Sequence, residues 1–136
     1  MTMEPIFLTL ADVMEMHLYQ LEHFGGSPGL RDLNLLKSAI AMPQMSFGGI
    51  VLHKDIFEMA AAYLFHIVEN HPFLDGNKRT GAMAAIVFLD VNGMDFEATD
   101  DDFAEMVLQV ASGRMGKQEI AAFLKGKCSP QARREE

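Results

Sequence analysis

Two stretches decide the fold. One is Ile56-Phe57-Glu58-Met59-Ala60-Ala61-Ala62-Tyr63-Leu64-Phe65-His66-Ile67-Val68-Glu69. The other is Lys78-Arg79-Thr80-Gly81-Ala82-Met83-Ala84-Ala85-Ile86-Val87-Phe88-Leu89-Asp90-Val91. Each is long enough for about four helical turns. In the first, Met59 to Phe65 is apolar nearly all round the helix, the mark of a helix buried at the centre of a domain. The second is built the same way: Ala82, Ala84 and Ala85 allow close packing, and Ile86 to Leu89 fill space. Asp55 with Glu58 three residues on resembles a capping box for the first. Asn92-Gly93 ends the second.

Outward from this pair the chain reads as further helices. Pro5–Leu8 is extended and leads to Thr9, an N-cap for a helix from about Leu10 to His23. Val13, Met14, His17, Leu18 and Leu21 are spaced for one face, and Gly25-Gly26 stops the helix. Asp32 caps a helix through Leu35, Leu36, Ala39 and Ile40 that Pro43 ends. Gln44 to His53 carries strand formers around Gly48-Gly49, which predicts a small hairpin or flap. A fifth helix follows Thr99 through Phe103, Met106, Val107 and Val110, with Asp100, Asp101 and Asp102 as favourable first-turn charge. A sixth covers about Lys117 to Leu124. The expected fold is an all-α bundle of about six helices around two buried central ones. Residues 1–127 form its one domain, and 128–136 form a frayed polar tail.

Composition narrows the function. The chain has 136 residues, a formal net charge of −8 and one cysteine, Cys128. No internal disulfide can form, and the cytoplasm is the expected setting. No stretch reaches the roughly 18 apolar residues of a membrane span, and Met1–Leu10 has no signal-peptide pattern. So acidic a surface argues against nucleic acid and anionic lipid as partners. Between Asp55 and Ser112 the only lysine and arginine are Lys78 and Arg79, side by side.

That cationic spot lies in the loop between the central helices, His71-Pro72-Phe73-Leu74-Asp75-Gly76-Asn77-Lys78-Arg79-Thr80-Gly81. Pro72 pushes His71 out of helical geometry. Gly76-Asn77 permits a turn, and Asn77 is an N-cap candidate for the next helix. The free N–H groups of that helix's first turn make an anion site. Two cations there are unfavourable, by about 0.3–1 kcal/mol each, unless an anion joins them. A phosphate would satisfy the N–H groups, the dipole and both side chains. Asp75 supplies the carboxylate that commonly holds Mg²⁺ beside phosphate oxygens. His71 suits a general base. Base, metal ligand and phosphate cradle together are the parts of phosphoryl or nucleotidyl transfer to a hydroxyl. Among neighbouring residues, His66 reads as a hydrogen-bonded core histidine, Phe73 as a core anchor for the loop and Thr80 as structural.

The loop resembles the signature of the Fic/Doc family, H-x-F-x-[D/E]-G-N-G-R-x-x-R. His71, Phe73, Asp75, Gly76, Asn77 and Arg79 fall in register with it. Tyr19 to Gly29, with its Gly25-Gly26-Ser27-Pro28-Gly29 element, and the helix order are similar to the death-on-curing branch over nearly the whole chain. Lys78 stands where adenylyl-transferring members carry Gly, Ala82 stands where they carry the second Arg, and Gly76 replaces the Ala of the founding Doc motif. The resemblance implies a Fic-type helical fold and a toxin that binds ATP and Mg²⁺ and moves the γ-phosphate to a Thr or Ser hydroxyl. The implied target is a translation factor, elongation factor Tu. It implies His71 as the base, Asp75 on Mg²⁺, and Gly76, Asn77, Lys78 and Arg79 around the nucleotide. The alternatives are AMP transfer and a non-catalytic nucleotide- or peptide-binding module. No Ser or Thr has Glu four residues on, so the self-inhibitory [S/T]-x-x-x-E-[G/N] element of many relatives is absent. The resemblance therefore implies control in trans by an antitoxin protein.

Overall fold

Ala60, Ala61, Ala62, Tyr63, Leu64 and Ile67 are completely buried in the computed structural model, which describes residues 4–132. They belong to α3 (Ile56–Asn70), the axis of the bundle. Around it lie α1 (Leu10–Phe24), α2 (Leu33–Ala41), α4 (Asn77–Val91), α5 (Asp100–Ala111) and α6 (Lys117–Gly126). The fold is the all-α bundle expected, and α3 and α4 are its central pair. They approach closely because of Gly81. A Cβ there would lie 3.2 Å from Val68 Cγ2 and 3.3 Å from the Leu64 carbonyl. The other face of α4, through Ala82, Met83, Ile86 and Val87, is only half-buried.

Four helices start as the sequence dictates. The side chains of Thr9, Asp32, Asp55 and Thr99 each accept a backbone N–H of the first turn. The buried face of α1 matches the one expected at Val13 and His17 and departs from it elsewhere. Val13, Met16, His17 and Gln20 are buried, whereas Leu18 is 53% exposed. The helix is rotated so that His17 and Gln20 face α4 and the loop before it, because both have polar partners there. His17 bonds the Asp75 carbonyl, and Gln20 Nε2 lies 3.0 Å from Met83 Sδ.

Strands play a small part. The expected hairpin forms as β1 (Ser46–Phe47) and β2 (Ile50–Val51), antiparallel around Gly48-Gly49. A second pair joins β3 (Met94–Phe96) to β4 (Cys128–Pro130). Thus the first residues of the expected C-terminal tail are paired, and residues 133–136 of that tail lie outside the described residues. Beneath the hairpin, the Lys117 ammonium lies 3.1 Å from Nε2 of His53 and 3.0 Å from Nε2 of His66. An ammonium can only donate, so both rings accept through Nε2. This joins the base of the hairpin, α3 and α6 at one point. It also gives His66 the hydrogen-bonded role expected of it.

Candidate active site

The third helix ends on a residue that dislikes its own conformation. His71 caps α3 with φ 50° and ψ 54°, and it is the one non-glycine with positive φ among the described residues. Left-handed backbone costs an ordinary L-residue about 1–2 kcal/mol. The surroundings hold it there. Arg31 Nε donates to the His71 carbonyl at 2.6 Å, and Arg31 Nη2 donates to the Asn70 carbonyl at 2.8 Å. The backbone N–H groups of Arg31 and Asp32 both donate to the Pro72 carbonyl, at 2.7 and 3.0 Å. Leu30 forms a bridge with Phe73, and Leu74 N–H donates to the Gly29 carbonyl at 3.1 Å.

Phe73 is the anchor expected. It is fully buried and stacks on His17, with ring centroids 3.8 Å apart and planes 7° from parallel. His17 is itself 3% exposed, and its Nε2 lies 2.8 Å from the Asp75 carbonyl. A carbonyl only accepts, so His17 Nε2 carries the hydrogen. The Asp75 side chain is exposed at the loop surface. Its Oδ2 accepts from Ser27 N–H at 3.1 Å and its Oδ1 from Gly76 N–H at 2.9 Å. Those two backbone donors hold the carboxyl below the ordinary carboxylate range, with a lesser contribution from Arg79.

Gly76, not Asn77, is the N-cap of α4, with φ 80°. Asn77 is the first helical residue, and its buried side chain turns back into the loop. Its Oδ1 accepts from Phe73 N–H at 2.9 Å, its Nδ2 donates to the Phe73 carbonyl at 3.0 Å, and the same Nδ2 lies 3.2 Å from His71 Nδ1. A short amide braces a tight loop better from inside the turn than from the cap position. The cap position therefore falls to Gly76, which tolerates positive φ.

α4 consequently starts with no side-chain cap. Its first turn holds Lys78 and Arg79, both exposed, and no acidic residue. α6 also opens on a glycine, Gly116, but there the first turn contains Glu119. The Arg79 guanidinium sits 4.6 Å from the centre of the Phe24 ring. Arg79 and Lys78 stand at one end of an open groove of about 580 Å³ that runs along Ala82, Met83 and Ile86 of α4 toward Phe103 and Val107 of α5. His71, Asp75, Gly76, Asn77, Lys78 and Arg79 thus share a single loop-and-helix start. Thr80 is fully buried.

Three residues of this site were not singled out from the sequence for it: His17, Phe24 and Arg31. Their partners lie 39 to 58 positions away for Arg31 and His17, and no local pattern marks them. The remaining candidate carboxylates, Asp100 to Asp102, sit in the first turn of α5 as expected. Among the described residues no cluster of three or more His, Cys, Asp or Glu is placed to hold a metal ion. No described helix is long and apolar enough to cross a membrane.

Comparison with known proteins gives the chain its relatives. A protein named Toxin Doc from Mycolicibacterium smegmatis is 40% identical over 105 residues, covering 76% of this chain and 81% of that protein. Protein kinase doc of Escherichia phage P1 is 28% identical over 117 residues, covering 84% of this chain and 89% of that protein. The model of the Fic/DOC family matches residues 7–89, the span from just before α1 through the His71–Gly81 loop to Leu89 near the end of α4. On that match and the 40% identity, this chain belongs to the Fic/DOC family.

Proposed function

We propose that this protein is a toxin that transfers the γ-phosphate of ATP to a Ser or Thr hydroxyl of a target protein. The observation that carries the reading is the start of α4, where an uncapped first turn coincides with two exposed cations and a carboxylate in the preceding loop. Two cations in an uncapped first turn are unfavourable alone and become favourable around a polyphosphate. The similarity to a relative named as a protein kinase supports the same reading.

In this reading the first-turn N–H groups, Lys78 and Arg79 hold phosphate oxygens through charge-assisted hydrogen bonds. Asp75 fits Mg²⁺, because its carboxyl stays ionised well below neutral pH and is exposed. The ion would neutralise charge building on the transferred group. His71 takes the proton of the target hydroxyl as its oxygen attacks the γ-phosphorus, and the bond to the β,γ-bridging oxygen breaks to release ADP. Lys78 and Ala82 favour phosphate over AMP transfer, because they remove the small residue and the second Arg of the adenylyl-transferring pattern. The proposed target is a translation factor of the elongation factor Tu type, and the proposed setting is the cytoplasm.

We infer an antitoxin as the trans-acting partner. The groove beside Arg79 contains Ala82 in its wall and is apolar along α4 and α5. It suits an amphipathic helix supplied by a segment that folds on binding. The net charge of −8 favours a segment of net positive charge.

Incubating the protein in cell extract with γ-labelled or α-labelled ATP tests the reaction. Label from the γ position should reach protein, and label from the α position should not. The opposite result assigns AMP transfer, and no transfer of either label assigns a binding module.

A further inference from the structure

We propose that Arg31 is a positioning residue for His71, a role that rests on the phosphotransfer reading above. An exposed arginine normally faces water or a carboxylate. This one lays its fork on two main-chain carbonyls, those of Asn70 and His71, at 2.8 and 2.6 Å. They are terminal carbonyls of α3 that a helix leaves without N–H partners. A cation at that end is also favoured by the helix dipole.

The consequence is local. Arg31 binds both sides of the His71 Cα by holding its carbonyl and the one before it. Its own N–H holds the next carbonyl, that of Pro72, at 2.7 Å. Three successive carbonyls are therefore fixed by one residue, and the φ/ψ of His71 cannot relax toward an ordinary region without breaking them. The imidazole direction follows from that backbone. Without the fork, His71 gains freedom to leave its unfavourable conformation, and the ring swings away from the loop interior. A misplacement of about 1 Å in a reacting group costs on the order of 100-fold in rate. Lysine cannot substitute fully, because one ammonium on a flexible stem does not reproduce a planar pair of donors. The phosphate side of the loop, from Asp75 to Arg79, is braced separately by His17, Ser27 and Asn77. Loss of Arg31 should leave it in place.

The test compares wild type, Arg31→Ala and Arg31→Lys. Initial rates of γ-label transfer are measured in extract as a function of Mg-ATP. The expected result is a fall in maximal rate of about tenfold to a hundredfold in Arg31→Ala, a smaller fall in Arg31→Lys, and an unchanged KM for Mg-ATP. Full maximal rate in a folded Arg31→Ala protein overturns the proposal. So does a loss expressed mainly in KM. Nitrogen-15 NMR of the His71 ring gives a readout independent of activity, and Arg31→Ala should shift the Nδ1 signal. If wild type moves no γ-label, the proposed function falls. An unchanged His71 ring signal in Arg31→Ala would then dispose of the Arg31 role as well.

Discussion

The Asn77 amide presents its nitrogen, not its oxygen, to Nδ1 of His71 at 3.2 Å. Its orientation is fixed by Phe73, whose N–H meets Oδ1 and whose carbonyl meets Nδ2. An amide nitrogen only donates, so His71 Nδ1 accepts and the neutral ring carries its hydrogen on Nε2. The lone pair needed by a base is therefore engaged within the loop. A target hydroxyl must displace this contact, or the ring must take up the tautomer that Asn77 opposes.

Asn77→Ala should expose that brace. It leaves the buried Phe73 N–H and carbonyl without their partner, and an unsatisfied buried polar group costs about 1–3 kcal/mol. Thermal or urea unfolding should show a loss in that range, together with loss of transfer. Wild-type stability in the variant would mean that the loop is held by its other contacts.

Asp75→Asn should weaken Mg²⁺ binding and the metal dependence of transfer while leaving the fold intact, because the side chain is exposed. The Ser27 and Gly76 N–H groups depress the Asp75 carboxyl. A depressed folded value means that its charge persists as pH falls, until the pH passes below the ordinary carboxylate range. Mg²⁺ affinity should therefore stay flat between about pH 7 and 5 as far as this ligand is concerned. Isothermal titration with Mg-ATP across that range measures it.

Arg79→Ala should raise the Kd for ATP by about tenfold, the loss of a charge-assisted phosphate contact. Phe24→Leu should raise it less, by about twofold to fivefold. It removes only the ring that fixes the guanidinium, a contact worth about 0.5–1 kcal/mol at an exposed site. Calorimetry that finds equal affinity in Arg79→Ala and wild type would exclude Arg79 from the phosphate site.

The His53–Lys117–His66 contact predicts acid sensitivity. Burial, then the Lys117 charge, lowers His66 to about 4, and the same two causes lower His53. The unfolded chain titrates these rings near 6.5 and so binds more protons than the folded chain in between. Stability is complete above about pH 6.5 and falls as pH drops toward 4. With partial solvent screening, the loss should be about 1–2 kcal/mol. Unfolding midpoints at pH 7 and pH 5 should differ in wild type and differ less in His66→Gln.

Most of the helical frame was legible because its signals are local. The all-round apolar patches at Met59–Phe65 and the capping residues Thr9, Asp32, Asp55 and Thr99 act within a few positions of themselves. The hairpin was legible from Gly48-Gly49 for the same reason. The differences occur where a residue found a partner that spacing and composition do not mark. Asn77 turns back four residues to brace Phe73 instead of capping α4, Gln20 turns α1 toward Met83 of α4, and Cys128–Pro130 pairs with Met94–Phe96 despite poor strand composition. The motif residues of the site could be picked out by chemistry. Arg31 and His17 could not, because their work depends on carbonyls that any residue could have supplied.

The left-handed backbone at position 71 separates what folding wants from what chemistry wants. Glycine adopts that geometry without strain. His71→Gly should therefore leave stability equal or raised by up to about 1 kcal/mol, while transfer disappears. Histidine at this position is held against the preference of the fold. In a lineage relieved of selection for activity, drift toward glycine or asparagine here would meet no resistance from stability. On the proposed function, the residue at position 71 is a record of use, and a population of silent descendants should lose it before it loses the bundle.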